Sequence, residues 1–146
     1  MNSVKILKAK ISDSQQIKKL EDKIWSEEVV NKYDIPMFVR FGYVFVAKDK
    51  EKIIGAIVAY LTKENEVYIC DWVVEKKYRK MKIGEKLYKK LIKSVGKRSV
   101  VSFVETNNTP SIKAHQKFGF KIVKKIKNPY NLNEGYRFFM RRKQNK

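Results

Sequence analysis

Cysteine is nearly absent from this 146-residue sequence, and long apolar runs are absent altogether. The single cysteine, Cys70, excludes an internal disulfide, and a chain without a disulfide framework is typical of the cytoplasm. The longest apolar runs, such as residues 53–61, are far shorter than the roughly 20 residues of a membrane helix. Residues 1–10 lack the apolar segment of a signal peptide. We therefore expect a cytoplasmic protein that does not enter a membrane.

Acidic residues are scarce in the second half of the chain. Residues 1–72 carry 12 Lys and Arg against 11 Asp and Glu, whereas residues 73–146 carry 22 against four, and the total is +19. A general bias towards lysine would raise the total, but it does not explain this asymmetry. The second half should attract a polyanion such as a nucleic acid, an anionic membrane face or a phosphorylated cofactor.

Length and apolar content predict a single domain over residues 1–146. A chain of this size buries about 68–70% of the surface that it exposes when unfolded. Its content of 43% hydrophobic and 12% aromatic residues argues against disorder. No repeat or low-complexity linker divides the sequence.

Hydrophobic periodicity predicts an alternation of strands and helices. The polar turn 49–51 between two short strands indicates an antiparallel hairpin, and a strand–helix–strand run from 67 to 104 indicates a right-handed parallel crossover. The predicted fold is α/β (α+β), a mixed central sheet with antiparallel first strands, one parallel crossover and flanking helices. The predicted strands are 4–10, 43–48, 53–62, 67–74, 100–104, 120–127 and 136–142, and the predicted helices are 13–28, 83–96 and 109–119.

Polar residues mark two of the predicted helix starts. Asp13, followed by Gln16, has the spacing of a capping box. Thr109 is predicted to cap a short helix, because Pro110 then occupies the first turn, where its missing N–H costs nothing. Residues 29–41 fit neither pattern, and a proline at position 36 excludes a long helix there.

The segment 75–84 has the composition of an anion site. It joins a buried strand to an amphipathic helix, so successive backbone N–H groups and the positive end of the helix dipole converge on one spot. Gly84 allows close backbone approach, and Arg79, Lys80 and Lys82 add full charges. A pyrophosphate is the natural guest, and a solvated lysine-rich loop is the alternative.

A second motif, Asn-Thr-Pro-Ser-Ile-Lys-Ala-His-Gln-Lys-Phe-Gly-Phe at 108–120, lies one strand later. Together the two motifs resemble the GNAT superfamily of acetyl-CoA-dependent N-acetyltransferases. The family's first signature, Arg/Gln-x-x-Gly-x-Gly/Ala, falls on 79–84, and its second, an Asn before a short helix and a Gly-Phe after it, falls on 108–120. The predicted order of elements is also similar to that fold, so the resemblance covers nearly the whole chain.

Two positions depart from the family pattern. Lys82 replaces the first Gly of the signature, which costs backbone freedom but offers an ammonium to phosphate. His115 occupies the helix position that often holds a general-acid Tyr. The pattern Asn-x-x-Ser-x-x-x-His resembles the branch of phosphinothricin-type acetyltransferases. The residues after Phe120 do not follow that branch, so its substrate is not carried over.

The resemblance implies that acetyl-CoA is the cosubstrate and that no metal takes part. It also implies direct attack of an amine on the thioester in a ternary complex, with a backbone N–H of residues 72–74 stabilising the oxyanion. The residues expected to bind the cofactor are Trp72, Val73, Val74, Arg79, Lys80, Met81, Lys82, Ile83, Gly84, Asn108, Ser111 and His115.

Two side chains are the catalytic candidates. His115 is expected to protonate the leaving thiolate, and its alternatives are a packed core histidine or a cofactor contact. Asp71 is a carboxylate on an otherwise apolar strand, so it is expected to accept the amine proton or anchor the amine, with a structural role as the alternative. Trp25 and Tyr33 are expected to shape the acceptor pocket with Asp71. Cys70 is expected to be an inert core thiol.

The sequence thus predicts an N-acetyltransferase whose acceptor is a primary amine on a small molecule or a peptide. A basic module that binds nucleic acid or the ribosome is the rival function, although no helix-turn-helix, zinc spacing or RNA-recognition motif supports it. A GNAT-fold protein that binds CoA without activity is a further alternative, and a homodimer is possible.

Overall fold

The computed structural model describes residues 3–26 and 28–143. The described strands are β1 Val4–Lys8, β2 Tyr43–Asp49, β3 Lys52–Leu61, β4 Val67–Val74, β5 Val100–Glu105, β6 Lys121–Lys127 and β7 Tyr136–Arg142. The described helices are α1 Ser14–Trp25, α2 Asp34–Phe41, α3 Ile83–Val95 and α4 Thr109–Lys117, with short 3-10 helices at Ile11–Asp13 and Lys76–Met81.

The strands form a mixed sheet in the order β1-β2-β3-β4-β5-β7-β6. Pairing is mostly antiparallel, and β2 and β3 form the predicted hairpin. The parallel pair is β4 with β5, where Val67 lies opposite Val100 and Tyr68 opposite Val101. The predicted α/β class, the antiparallel first strands and the parallel crossover are therefore confirmed.

The chain divides into two compact units. The first combines the residues up to Tyr60 with Ile69–Gly96, and the second combines Leu61–Tyr68 with the residues from Lys97 onward. In the first unit, the two N-terminal helices and the hairpin share one apolar core. Its buried members include Ile17, Leu20, Ile35, Val44, Val46, Ile53, Ala56, Val58 and Val73.

Helix α3 packs closely against the hairpin strand β3 in the first unit. The predicted stripe of residues spaced by four is confirmed, since Ile83, Leu87, Leu91 and Val95 are all buried. A Cβ on Gly55 would lie 3.3 Å from both Ile83 Cγ2 and Leu87 Cδ1. Glycine at this point of β3 therefore lets the helix approach the sheet, which positions the start of α3.

In the second unit, the antiparallel strands β5, β7 and β6 lie next to one another. Val100, Val101 and Met140 are buried there. Strand β6, with the sequence Lys-Ile-Val-Lys-Lys-Ile-Lys, ends the sheet and is exposed along nearly its whole length. Lysines on such an edge oppose strand addition by another chain.

Helix α1 begins where the sequence predicts, with Asp13 at the N-cap position, but without the predicted side-chain cap bonds. The Asp13 carboxylate makes no cap bond to the helix. It accepts a hydrogen bond from Lys10 N–H at 2.8 Å and pairs with Lys48 Nζ at 2.9 Å. Gln16 instead ties α1 to the sheet, since its Oε1 accepts from Ile53 N–H at 3.0 Å. The capping box is therefore wrong, because both side chains have stronger partners outside the helix.

Helix α4 is capped by Asn108 and not by Thr109, which is already helical. Asn108 Oδ1 accepts from Ser111 N–H at 3.2 Å, and Asn is among the best residues at this position.

The ambiguous region 29–41 contains the helix α2, which accommodates its proline in the first turn. The expected end of α1 near residue 28 is also corrected, because Ser26 turns left-handed with φ 58°.

The Asn108 cap predicts a specific loss of stability. Asn108→Ala should lower the free energy of unfolding by about 1 kcal/mol, within a range of roughly 0.5–2, because a helix-terminal N–H loses its partner. Thr109→Ala, one residue later, is the control and should change stability by less than about 0.5 kcal/mol. Urea unfolding of the three proteins measures both effects, and equal losses in the two variants would contradict the assignment of the cap.

Candidate functional site

Strand β4 sends neighbouring side chains to opposite faces of the sheet, as any strand does. Asp71 points towards α1, where its carboxylate accepts a hydrogen bond from Trp25 Nε1. Trp72 points towards α3, where its indole donates to Gly84 O. One strand therefore carries a buried acid on one face and the support of the α3 N-terminus on the other.

The turn between β4 and α3 has the backbone geometry of an anion site. After the 3-10 helix Lys76–Met81, Lys82 is left-handed with φ 59° and ψ 28°, and α3 begins at the next residue. A right-handed segment followed by a left-handed residue points successive N–H groups into one concavity. The first α-helical bond joins Lys86 N–H to Lys82 O at 3.1 Å, so the N–H groups of Ile83 and Gly84 precede the intrahelical series.

Trp72 holds this turn in place. Its Nε1 donates to Gly84 O at 3.1 Å, and its ring stacks on Tyr88 with centroids 5.4 Å apart. A Cβ on Gly84 would lie 3.5 Å from Trp72 Nε1, which is an ordinary contact. Packing within the protein therefore does not demand glycine here, and the missing side chain leaves room for a ligand at the helix start.

The lysines of the turn can act on a ligand because Glu75, the one acidic residue of segment 75–84, pairs with lysines that lie outside the turn. Glu75 is buried, and its carboxylate pairs with Lys23 Nζ at 2.9 Å and Lys52 Nζ at 3.4 Å. The hydrogen bond from Lys23 holds the pKa of Glu75 below its ordinary value. Lys80 and Lys82 are exposed, so they contribute net positive charge beside the converging N–H groups.

Burial and hydrogen bonding restrict how Val73, Arg79 and Ile83 can contact a cofactor. Ile83 is fully buried and Val73 is nearly so, which leaves only their backbone groups for a cofactor. Arg79 is exposed, but its Nε donates to Val74 O at 2.9 Å, so part of its guanidinium is used to close the turn. Met81 is 38% exposed and retains an accessible side chain.

On the opposite face of β4, Asp71 belongs to a buried cluster. Its Oδ1 accepts from Trp25 Nε1 at 3.1 Å and from Trp72 N–H at 3.0 Å. Only 5% of Asp71 is exposed, so it does not offer a carboxylate directly to a substrate. The expectation of direct amine binding by Asp71 is corrected accordingly, since its carboxylate is buried and bonded to Trp25.

Sequence reasoning missed Glu21, which lies against Asp71. Glu21 is fully buried, and no donor among the described residues reaches either of its carboxyl oxygens. Burial, followed by the contact with Asp71, raises the pKa of Glu21 from 4.5 to about 10. A signal was present in the sequence, since Glu21 falls four residues after Ile17 on the apolar face of α1. An acid in such a stripe marks a buried carboxyl group.

The other predicted residues of the first unit have separate environments. Tyr33 is 71% exposed at the start of α2. It contacts Asn31 Oδ1 through its N–H at 2.8 Å, and Lys32 Nζ lies 5.2 Å from its ring centre. These contacts do not join it to Trp25. Cys70 donates to Val58 O, and burial raises the pKa of its thiol far above the ordinary value, as an inert core thiol requires.

His115, in the second unit, is held by both ring nitrogens. Nδ1 lies 2.8 Å from Ser111 O, and since a carbonyl only accepts, Nδ1 carries the proton. Nε2 lies 3.2 Å from Ser102 Oγ and accepts from that hydroxyl in the neutral ring. The ring edge meets Phe120 at a centroid distance of 5.0 Å, and burial lowers the pKa of His115.

This geometry disfavours His115 as a general acid. The imidazole is neutral, its only N–H is bound to a carbonyl, and 5% of the residue is exposed. Ser102, which was not predicted, completes the arrangement from the buried face of β5. Asn108 and the backbone of Ser111 serve the helix cap and the histidine, so their contact with a cofactor stays a prediction.

Residues 3–26 and 28–143 contain neither a cluster of metal ligands nor a membrane-spanning helix. His, Cys, Asp and Glu side chains in these ranges form no group of three that could hold a metal ion. None of the helices in the same part of the chain is long and apolar enough to cross a bilayer.

Solved structures with similar folds include a named N-acetyltransferase and a protein bound to a CoA-containing bisubstrate analogue. Ard1 from Thermoplasma volcanium is 20% identical with TM-score 0.87, over 99% of this chain and 100% of that one. Arabidopsis thaliana Naa50, bound to the bisubstrate analogue CoA-Ac-MVNAL, is 24% identical with TM-score 0.81, over 97% and 99%. The ribosomal-protein-S18-alanine N-acetyltransferase from Escherichia coli is 16% identical with TM-score 0.82, over 98% and 95%.

At these identities the structural likeness establishes the fold alone. No curated protein sequence matches the chain. The sequence profile described as the Acetyltransferase (GNAT) family matches residues 13–120. That range includes α1, the turn after β4 and the whole of α4. The chain therefore belongs to the GNAT acetyltransferase family.

Proposed function

We propose that the protein is an N-acetyltransferase that moves the acetyl group of acetyl-CoA to a primary amine. The observation that carries this proposal is the turn at 76–84, where a left-handed Lys82 precedes α3 and the N–H groups converge. Family membership supplies the cosubstrate, because GNAT enzymes use acetyl-CoA. The pyrophosphate of CoA is the group that fits the turn.

The proposed reaction needs positioning more than acid–base chemistry. The amine nitrogen bonds to the acetyl carbon, the C–S bond breaks, CoA leaves as its thiolate, and the extra amine proton passes to water. Because Trp72 N–H is already bonded to Asp71, the proposed oxyanion donor narrows to the N–H groups of Val73 and Val74. A thiolate is a fair leaving group near neutral pH, so a neutral His115 is compatible with turnover.

A peptide N-terminus is the acceptor that we propose first. Two of the structural relatives support this choice: Naa50 was crystallised with the bisubstrate analogue CoA-Ac-MVNAL, and the Escherichia coli protein is a ribosomal-protein-S18-alanine N-acetyltransferase. The experiment is a turnover assay with acetyl-CoA and separate panels of peptides, free amino acids and polyamines, read by product mass. Acetylated peptide amines are expected. Acetyl-CoA binding without any acetylated amine would instead leave the inactive CoA-binding protein as the function.

Acetyl-CoA should stabilise the protein against heat. At a hundredfold excess over Kd, binding adds about 2.7 kcal/mol to the free energy of unfolding, which raises Tm by roughly 5–10 °C for a chain of this size. Thermal shift assays at low salt measure the effect, with ATP at equal ionic strength as the polyanion control. Absence of a shift at millimolar CoA would refute the cofactor site, and an equal shift with ATP would indicate charge attraction alone.

Lys82 combines a charge with a left-handed backbone, and substitutions separate the two. Lys82→Gly and Lys82→Met should both raise the Kd of CoA about 3- to 10-fold at low salt, or roughly 0.7–1.4 kcal/mol, because both remove a phosphate partner. The loss should shrink in high salt. Only Lys82→Gly should stabilise the free protein, by about 0.5–1 kcal/mol, because glycine adopts this conformation without strain.

Lys50 provides a matched control for these variants. It is an exposed lysine with φ 57° in the β2–β3 turn. Lys50→Gly and Lys50→Met therefore remove one positive charge from a left-handed position, as the Lys82 variants do, but outside the proposed cofactor site. Calorimetric titration with CoA should give wild-type Kd for both. If the Lys82 and Lys50 variants lose equal affinity, the lysine acts only through net charge.

The basic surface keeps nucleic acid binding as the rival function. Four of the seven residues of β6 are lysines, and that strand is largely exposed. Titration with a single-stranded and a duplex oligonucleotide at 50 and 200 mM salt, beside the CoA titration, separates the two functions. Tighter binding of an oligonucleotide than of CoA at the higher salt would favour the rival.

A further inference from the structure

Two carboxyl groups face one another in the interior of the first unit. Glu21 projects from α1 and is fully buried, and Asp71 projects from β4 with 5% exposure. Within the described part of the chain, no N–H or O–H from another group reaches either Glu21 oxygen or Asp71 Oδ2. A hydrogen bond from one carboxyl group to the other is therefore the bond that these orphaned oxygens can form.

Such a pair requires one proton of its own. Two buried carboxylates in contact cannot both ionise, because neither is solvated and each raises the cost of charging the other. Asp71 Oδ1 already accepts two N–H bonds, from Trp25 and from Trp72, whereas no donor in residues 3–26 and 28–143 reaches either Glu21 oxygen. The proton therefore belongs to Glu21, and the pair carries a single negative charge.

The charged and titratable groups around the pair do not replace that proton. Asp22 and Lys18 lie near Glu21 on α1; Asp22 raises the pKa of Glu21 and Lys18 lowers it. Lys18 is occupied by Asp22 at 2.8 Å and by Glu28 at 3.0 Å. On β4 the remaining neighbour is the Cys70 thiol, which stays protonated. No cation neutralises the pair from α1 or β4 among the described contacts.

We propose that Glu21 is a positioning residue of the acceptor site: its neutral carboxyl group donates to Asp71, and Asp71 in turn holds the Trp25 indole. This inference rests on the proposed function and on the expectation from the sequence that Trp25 shapes the acceptor pocket. Trp25 is 43% exposed although its Nε1 is bonded in the interior. One edge of the ring is thus fixed, while another part faces solvent.

The arrangement favours an acceptor that arrives as a cation. A carboxylate that accepts from the indole N–H makes the ring more electron-rich, and an ammonium is attracted to such a ring face. The single charge of the pair lies behind Trp25 and adds to that attraction. The substrate class that fits is an alkylammonium, such as the N-terminus of a peptide, which then loses its proton before attack.

The proton on Glu21 gives stability a defined pH dependence. Because the pKa is 4.5 in the unfolded chain and about 10 in the folded one, the stability from this group is fully present below pH 4.5. It is lost as the pH rises from there to about 10, since the unfolded chain releases the proton first. Glu21→Gln does not titrate, so its Tm relative to wild type should rise between pH 5 and pH 9.

Glu51→Gln is the control for that comparison, because Glu51 is exposed in the β2–β3 turn. Its Tm relative to wild type should stay constant over the same range. A Tm difference between Glu21→Gln and wild type that does not change from pH 5 to pH 9 would show that Glu21 holds no proton in the folded protein.

The position of Trp25 is read from its indole N–H signal in nitrogen–proton NMR spectra. The chain has two tryptophans, so the signal missing from Trp25→Phe identifies that of Trp25, and Trp72 is the internal control. In Glu21→Leu, the Trp25 indole proton should exchange with water at least tenfold faster than in wild type. Glu21→Gln, whose amide also donates, should restore slow exchange, and the Trp72 signal should not change.

Acceptor kinetics then connect the side chain to the proposed reaction. The acceptor KM should rise several-fold in Glu21→Leu and recover in Glu21→Gln, with the Kd of acetyl-CoA unchanged.

A folded Glu21→Leu with wild-type indole exchange would overturn the proposal, and so would a Glu21→Gln variant that fails to restore slow exchange. If Glu21→Leu does not fold, two other measurements test the proposal: the exchange rate of the Trp25 indole proton in Glu21→Gln, and the pH dependence of the Tm difference between Glu21→Gln and wild type. Failure of turnover in wild type refutes only the proposed function, because the indole and Tm measurements need no substrate.

Discussion

The hydrogen bond from the Trp72 indole to Gly84 O is the contact on which the candidate site depends. It links the end of β4 to the first turn of α3 at 3.1 Å, across a 3-10 helix and a left-handed residue. Without that link, the N–H groups at 82–84 would have no fixed direction. Gly55, which lets α3 approach β3, and the Tyr88 ring beneath Trp72 support the same geometry.

The opposite face of β4 follows a different principle. Its centre is the buried pair Glu21 and Asp71, for which we propose a single shared proton. Asp71 connects this pair to Trp25 and to the strand backbone. In the proposed reaction, the adjacent residues 71 and 72 therefore support the acceptor side and the cofactor side, respectively. A strand accomplishes this because its side chains alternate between faces.

Much of this architecture could be predicted from periodicity alone. The bounds of β4 and the stripe of α3 follow from patterns that depend on local sequence. The Asn108 cap, the Asp13 ion pair and the Glu21–Asp71 contact could not be assigned in the same way, because each depends on a competing partner. The state of His115 likewise depends on Ser102, which lies 13 residues away, and spacing alone does not reveal its hydrogen bond.

The most direct test of the account is a backbone amide NMR titration of the labelled protein with CoA. The NMR signals of the Lys82, Ile83 and Gly84 amides should shift most, and their shifts should saturate with one common Kd, because the pyrophosphate binds the converging N–H groups. A small drift that does not saturate and is equal at Lys50 and Lys82 would contradict it, since the ligand would then sense only the positive charge of the protein.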